Sequence, residues 1–142
     1  MLTRLLYVST AVGPVTTAVT GTILRSAQTH NAVSGITGVL CQGRGVYLQV
    51  LEGERNQVDA LYARIALDKR HGNLKLRQQE NIQARRYGKW AMAHVDMAYL
   101  PDAGAACHLQ PIFDLYSATA EVVMARIDAL VAAGKVMNAP VV

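Results

Sequence analysis

The sequence predicts an α+β fold: a ferredoxin-like βαββαβ antiparallel sheet with an added fifth strand, two helices on one face and C-terminal helices on the other. Three observations lead there. Short apolar runs suited to strands recur at residues 2–9, 36–41 and 46–51. Two segments with apolar residues three and four apart fall between the strand runs in the order that split βαβ connectivity requires. The strand runs are apolar on both faces, so both faces need cover.

Residues 2–9 alternate around Leu5, Tyr7 and Ser9 and read as the first strand. Gly13-Pro14 ends it, and Pro14 suits a first helical turn. Val15, Val19, Ile23 and Ala27 then recur every fourth residue. That helix is expected to stop near His30-Asn31, because asparagine tolerates the left-handed backbone of a C-terminal cap. Ile36 to Cys41 and residues 46–51 form a hairpin across Gly43-Arg44-Gly45. These glycines join two strands rather than a strand and a helix, so they are not a dinucleotide fingerprint.

Val58, Leu61, Tyr62 and Ile65 mark the second helix, which should end near Asp68. Leu74 to Ile82 reads as a polar fourth strand near an edge, and Trp90 to Val95 as the fifth. Alternation puts Gln49 on a face with Tyr47 and Leu51, and Trp90 on a face with Met92. The tail holds Ile112, Phe113, Leu115 and Tyr116, then Val123, Ile127, Leu130 and Val131 at helical spacing, with Gly134 as a stop. It reads as two helices broken near Ser117 or as one long helix, and it is the natural cover for the second sheet face. Residues 1–97 are expected to form the main domain and 98–142 a helical extension packed on the sheet.

With 142 residues, 51% of them hydrophobic and 17% charged, the chain is long and apolar enough for one real core. No run approaches the roughly 20 apolar residues of a membrane span. A strand pattern starts at once, so no signal peptide is expected. Cys41 and Cys107 show no metal-ligand spacing and read as reduced thiols in a cytoplasmic protein. The net charge of +4 is scattered rather than gathered into a stripe, which disfavours nucleic-acid binding. No metal, phosphate-loop or nucleophile-elbow motif appears, so an enzyme is not expected.

The chemistry-bearing residues fall on the sheet-and-helix side. Gln49 sits in an apolar strand, and a buried amide without partners costs about 1–3 kcal/mol, so matching groups must lie nearby. Tyr7 offers a phenol, Trp90 and Met92 polarizable neighbours, Asn31 a two-way amide, and Asp68, Arg70 and His71 a charged helix end. Ile23 and Ile65 could wall a flat aromatic ligand. Taken singly, each also fits a structural role: Tyr7 as a core phenol, Asn31 as a cap, Asp68 to His71 as a solvated helix end.

Taken together they resemble the BLUF family of blue-light sensors over roughly residues 2–97. The resemblance rests on Leu6-Tyr7-Val8-Ser9, on His30-Asn31 followed by Gly35-Ile36-Thr37-Gly38, and on Tyr47 to Gly53. It continues through Asp68-Lys69-Arg70-His71 and Arg86-Tyr87-Gly88-Lys89-Trp90-Ala91-Met92. It implies non-covalent FAD between the two helices, contacted by Tyr7, Ile23, Ala27, His30, Asn31, Tyr47, Gln49, Ile65, Asp68, Arg70, His71 and Met92. Tyr7 and Gln49 would be the photoactive pair, with Trp90 and Met92 in the segment that reports the rearrangement of Gln49. The resemblance further implies that an electron and a proton would leave Tyr7 by way of Gln49, and that the rotated or tautomerised amide would shift the flavin absorption to the red. Two positions are local departures: Ala27 stands where some members have a small hydroxyl residue, and Tyr47 where phenylalanine is common. The extension resembles that of short stand-alone members, which implies a homo-oligomer and a separate downstream signalling protein. The alternative on the same fold is a regulatory or small-ligand-binding module without photochemistry.

Overall fold

Strands apolar on both sides can be satisfied only in the middle of a layered molecule, and this is where the sheet lies. The structure, a computed structural model, describes residues 1–13, 17–43, 45–97, 116–132 and 136–137. The elements are β1 (Leu2–Ala11), α1 (Thr17–Ser34), β2 (Thr37–Gly43), β3 (Val46–Glu54), α2 (Arg55–Ala66), β4 (His71–Asn81), β5 (Ala93–Asp96), α3 (Ala120–Ala132) and β6 (Val136–Met137). The sheet order is β4-β1-β3-β2-β5-β6. The first four strands are antiparallel neighbours in the ferredoxin-like arrangement, and β5 adds in parallel beside β2.

Alternation divides the apolar residues between two cores. Leu5, Tyr7, Leu40, Tyr47, Leu51 and Met92 pack with Leu24 of α1 and Val58 of α2. Leu6, Val8, Val39, Cys41, Leu48, Val50, Ala93 and Val95 face the other way, onto Val123, Met124, Ile127 and Leu130 of α3. The tail thus supplies the second cover. Thr119 starts α3, its hydroxyl accepting from the Val122 N–H at 3.2 Å. The break between residues 117 and 120 agrees with the one expected near Ser117. Ile112, Phe113, Leu115, Gly134 and Cys107 lie outside the described residues. No helix among the described residues is long and apolar enough to cross a membrane.

Four local expectations need correction. First, α1 does not end at Asn31 but runs to Ser34, and Gly35 supplies the left-handed turn with φ 70°. Asn31 is a fully buried helix residue, not a cap. Second, β4 begins at His71 rather than Leu74, because pairing with Ala11 and Thr10 of β1 recruits its first residues. Third, Trp90 and Met92 do not share a face. Residues 91–92 bend before β5 starts at Ala93, so strand alternation does not apply; Trp90 packs on the α3 side and Met92 on the α1–α2 side. Fourth, the tail returns a short strand, β6, antiparallel to β5, which a two-residue run gives no pattern to reveal.

The segment that leads into β5 is tied down by a buried carboxylate. Glu52, fully buried in β3, accepts from Arg4 Nε at 2.7 Å, from the Arg86 N–H at 2.9 Å and from the Tyr87 N–H at 2.7 Å. Arg85 adds bonds to the Thr37 hydroxyl at 2.9 Å and to the Glu52 carbonyl at 3.2 Å. The Tyr87 hydroxyl then donates to Asp128 of α3, and Arg86 pairs with the same carboxylate at 3.2 Å. Further on, the Gly38 N–H donates to the Trp90 carbonyl at 3.1 Å. Position 38 must be glycine, since a Cβ there would lie 1.9 Å from the Val50 carbonyl oxygen. Replacing Glu52 with glutamine leaves Arg4 only its more exposed partner Glu80, at 3.2 Å, and exchanges one acceptor oxygen for a donor. Denaturant unfolding of Glu52→Gln should show a loss of about 3 kcal/mol.

Candidate functional site

Tyr7 of β1 and Gln49 of β3 are direct register partners, so antiparallel pairing sets their side chains together on one face. The Tyr7 hydroxyl donates to Gln49 Oε1 at 2.5 Å, and Gln49 Nε2 donates to Met92 Sδ at 3.3 Å. All three side chains are buried. The bond to oxygen is short; the bond to sulfur uses a weak acceptor. The amide is therefore satisfied strongly at one end and loosely at the other. Burial pushes the Tyr7 phenol well above its ordinary range, and the nearby Asp68 charge adds to the effect.

This pair opens on a cavity of about 420 Å³, within the usual size range of small-molecule sites. The sheet forms its floor with Tyr7, Leu40, Tyr47 and Gln49. Helix α1 contributes Ile23, Ser26, Ala27 and His30, and α2 contributes Leu61, Arg64 and Ile65. Asp68, Arg70 and His71 close the end where α2 turns into β4. Tyr62 stands beside Tyr7, ring centroids 5.8 Å apart.

The charged end is held by its own contacts. The Arg70 guanidinium donates to both carboxylate oxygens of Asp68 through Nε, at 2.9 and 3.0 Å, and keeps that carboxyl below its ordinary range. His71 spans Ser9 Oγ at 2.6 Å and the Ile65 carbonyl at 2.7 Å. A carbonyl only accepts, so Nε2 carries a proton, and in the neutral ring Nδ1 accepts from Ser9. His71 thus locks the α2 end to β1 while its ring forms part of the cavity wall.

Ten of the residues expected to contact a ligand share this one cavity: Tyr7, Ile23, Ala27, His30, Tyr47, Gln49, Ile65, Asp68, Arg70 and His71. Asn31 and Met92 are not part of its lining, although Met92 reaches it through Gln49. Trp90 stands apart, packed on the opposite side of the sheet. Ser26, Leu40, Leu61 and Arg64 were not foreseen as ligand contacts. Leu61 belongs to the apolar face of α2 and Leu40 to an all-apolar strand, so both read as core; Ser26 and Arg64 carry no pattern of their own. Ser26 places a hydroxyl at the wall next to the position where Ala27 lacks one.

The Asn31 amide is informative. Its Nδ2 donates to the Ala91 carbonyl at 3.0 Å, while its buried Oδ1 has no hydrogen-bond partner. This leaves a buried acceptor with capacity for one more donor. Ile23 and Ile65 supply apolar cavity walls from the two helices.

Comparison with known proteins shows the family of the chain. Residues 2–93 match the family model described as "BLUF: Sensors of blue-light using FAD". The chain is 36% identical over 92 residues to the photoactivated adenylate cyclase subunit beta of Euglena gracilis, covering 64% of this chain and 11% of that protein. It thus spans about a tenth of the length of such curated relatives. Its structure is similar to that of BlrB, a BLUF protein in the dark state, with 28% identity, a TM-score of 0.76, and coverage of 94% of this chain and 96% of that one. The photo-activated state of BlsA, 24% identical, shares the fold with a TM-score of 0.78 and coverage of 92% and 94%.

The raised phenol of Tyr7 has a pH consequence. The folded chain keeps this proton where the unfolded chain, with an ordinary value of 10.0, releases it. The contribution of Tyr7 is complete below that pH and declines as pH rises toward the folded value. Unfolding titrations from about pH 9 to pH 11 should show a shallower loss of stability in Tyr7→Phe than in the native chain.

Proposed function

The chain belongs to the BLUF family of blue-light sensors, and we propose on that premise that it binds FAD in the cavity and signals through rearrangement of the Tyr7–Gln49–Met92 network. BLUF domains bind flavin; FAD is the form the family description names. Tyr7 and Gln49 would face the ring, Ile23 and Ile65 would enclose it, and Asn31, with its unmatched Oδ1, would offer it an acceptor. His30, Ala27, Tyr47 and His71 complete the wall, and Asp68 with Arg70 closes the polar end. The observation that carries this reading is the buried phenol–amide–thioether chain opening on that cavity.

Flavin excited by blue light supplies a strong oxidant. Tyr7 would lend the electron, its phenol proton has a bond already in place along which to leave, to Gln49 Oε1, and both would return to Tyr7 within the cycle, so no net oxidation remains. Gln49 then turns or tautomerises. Its weak link to Met92 Sδ is the one that gives way at least cost. Such a change is discrete rather than graded, because a buried amide has few arrangements in which every polar atom is paired. Met92 adjoins β5, whose Ala93 and Val95 face α3, and this gives the rearrangement a route to the opposite side of the sheet. Trp90, on that opposite side, takes part through α3 packing rather than through the cavity.

In this reading residues 1–97 are the sensor and 98–142 an extension that relays its state to an effector or to a second copy of the chain. The chain carries out no catalysis itself. Its buried free thiol, Cys41, with its pKa pushed up to about 12 by burial, suits a reducing cytoplasm.

The purified chain should be yellow and show a reversible red shift of the flavin band under blue light. Tyr7→Phe should retain the pigment and lose the shift, and Gln49→Leu should do the same; a normal photocycle in either variant overturns the assigned roles. Asn31→Ala removes the unmatched acceptor and should lower flavin occupancy about tenfold at limiting pigment, read from the ratio of flavin to protein absorbance.

A further inference from the structure

Three consecutive carbonyls lead into β5, and each is held by a different donor. The Trp90 carbonyl accepts from the Gly38 N–H of β2 at 3.1 Å, Ala91 from Asn31 Nδ2 at 3.0 Å, and Met92 from Gln28 Nε2 at 3.0 Å. The last two donors stand three residues apart on α1 and therefore on one face of it. Regular sheet pairing begins only at Ala93, so these side chains replace ladder bonds that the bent segment cannot make. Gln28 does not line the cavity. It touches the backbone of the one residue whose sulfur receives the Gln49 amide.

We propose that Gln28 is a positioning residue of the photoswitch: by holding the Met92 carbonyl it fixes Met92 Sδ against Gln49 Nε2 and so stabilises the resting orientation of Gln49. This rests on the photosensor reading above. A thioether is too weak an acceptor to orient an amide unless its own position is fixed. The Met92 side chain is long and flexible, so placement of its sulfur depends on the backbone that carries it. Gln28 supplies that constraint from α1, the helix that also lines the cavity. Asn31 does the same one residue earlier, at Ala91.

The test uses the full chain with Gln28→Glu, which keeps size and shape but loses the N–H, and Gln28→Lys, which restores a donor. Gln28→Ala serves if the carboxylate disturbs folding. The first readout needs no light: the methyl resonance of Met92 in ¹³C-methyl-methionine protein, assigned by its loss in Met92→Leu. It should shift or broaden in Gln28→Glu and return toward the native position in Gln28→Lys. The second readout is dark recovery after a blue flash. Recovery should slow about fivefold in Gln28→Glu, because the resting arrangement loses support, and the same substitution should have no further effect in Met92→Leu protein. An unchanged Met92 methyl in Gln28→Glu overturns the proposal, as does a recovery effect that persists undiminished without Met92. If native protein shows no red shift, the photosensor reading fails, while the methyl resonance still decides whether Gln28 places Met92.

Discussion

The Gln49 amide is the constraint around which the site is arranged. Gln49 is 4% exposed and lines the cavity, so its amide must take its partners from the protein or from what fills that cavity. β1 supplies the phenol of Tyr7, fixed by register, and the approach to β5 supplies the sulfur of Met92, whose backbone carbonyl accepts from Gln28 of α1. The two partners differ in kind. One belongs to the regular ladder and cannot shift without disturbing the sheet; the other hangs from an irregular segment held by separate donors. Asymmetry of this sort lets one side chain be stable and convertible in the same place.

The irregular segment shows how that convertibility is contained. Glu52 gathers Arg4 and the N–H groups of Arg86 and Tyr87, Gly38 holds Trp90, Asn31 holds Ala91 and Gln28 holds Met92. The chain from 85 to 92 is therefore held at named points although no helix or strand runs through it. Its order comes from side chains on β3 and α1 and from one backbone bond to β2. A shift at Met92 accordingly meets resistance at named points, and Tyr87 carries one of these points across to Asp128 on α3.

Most of the frame was legible in the sequence because its strands and helices obey simple periods. Leu5 and Tyr7 against Leu6 and Val8 divided the two cores correctly, and Val58 with Ile65 placed the inner face of α2. Periodicity failed where a side chain's neighbours come from elsewhere in the fold. Asn31 looked like a helix stop because asparagine tolerates such a place, but the Ala91 carbonyl makes it an interior residue and Gly35 takes the turn. Trp90 was assigned a face by alternation that bent backbone does not follow. Gln28 gave no signal, since an amide on a half-exposed helix face looks like any solvated residue until the segment behind it is seen. The cavity could be foreseen only through the joint spacing of distant motifs, none of which is informative alone.

The common sheet also works in the reverse direction. Residues 5 to 8 of β1 alternate between the α1–α2 layer and α3, so the two layers share one partition a single side chain thick on either side. A binder that grips α3 more tightly in one arrangement of those strands must favour that arrangement at Gln49 by the same free energy. On the proposed reading, the free-energy gap between the two arrangements of Gln49 would then be set by the chain together with whatever holds α3.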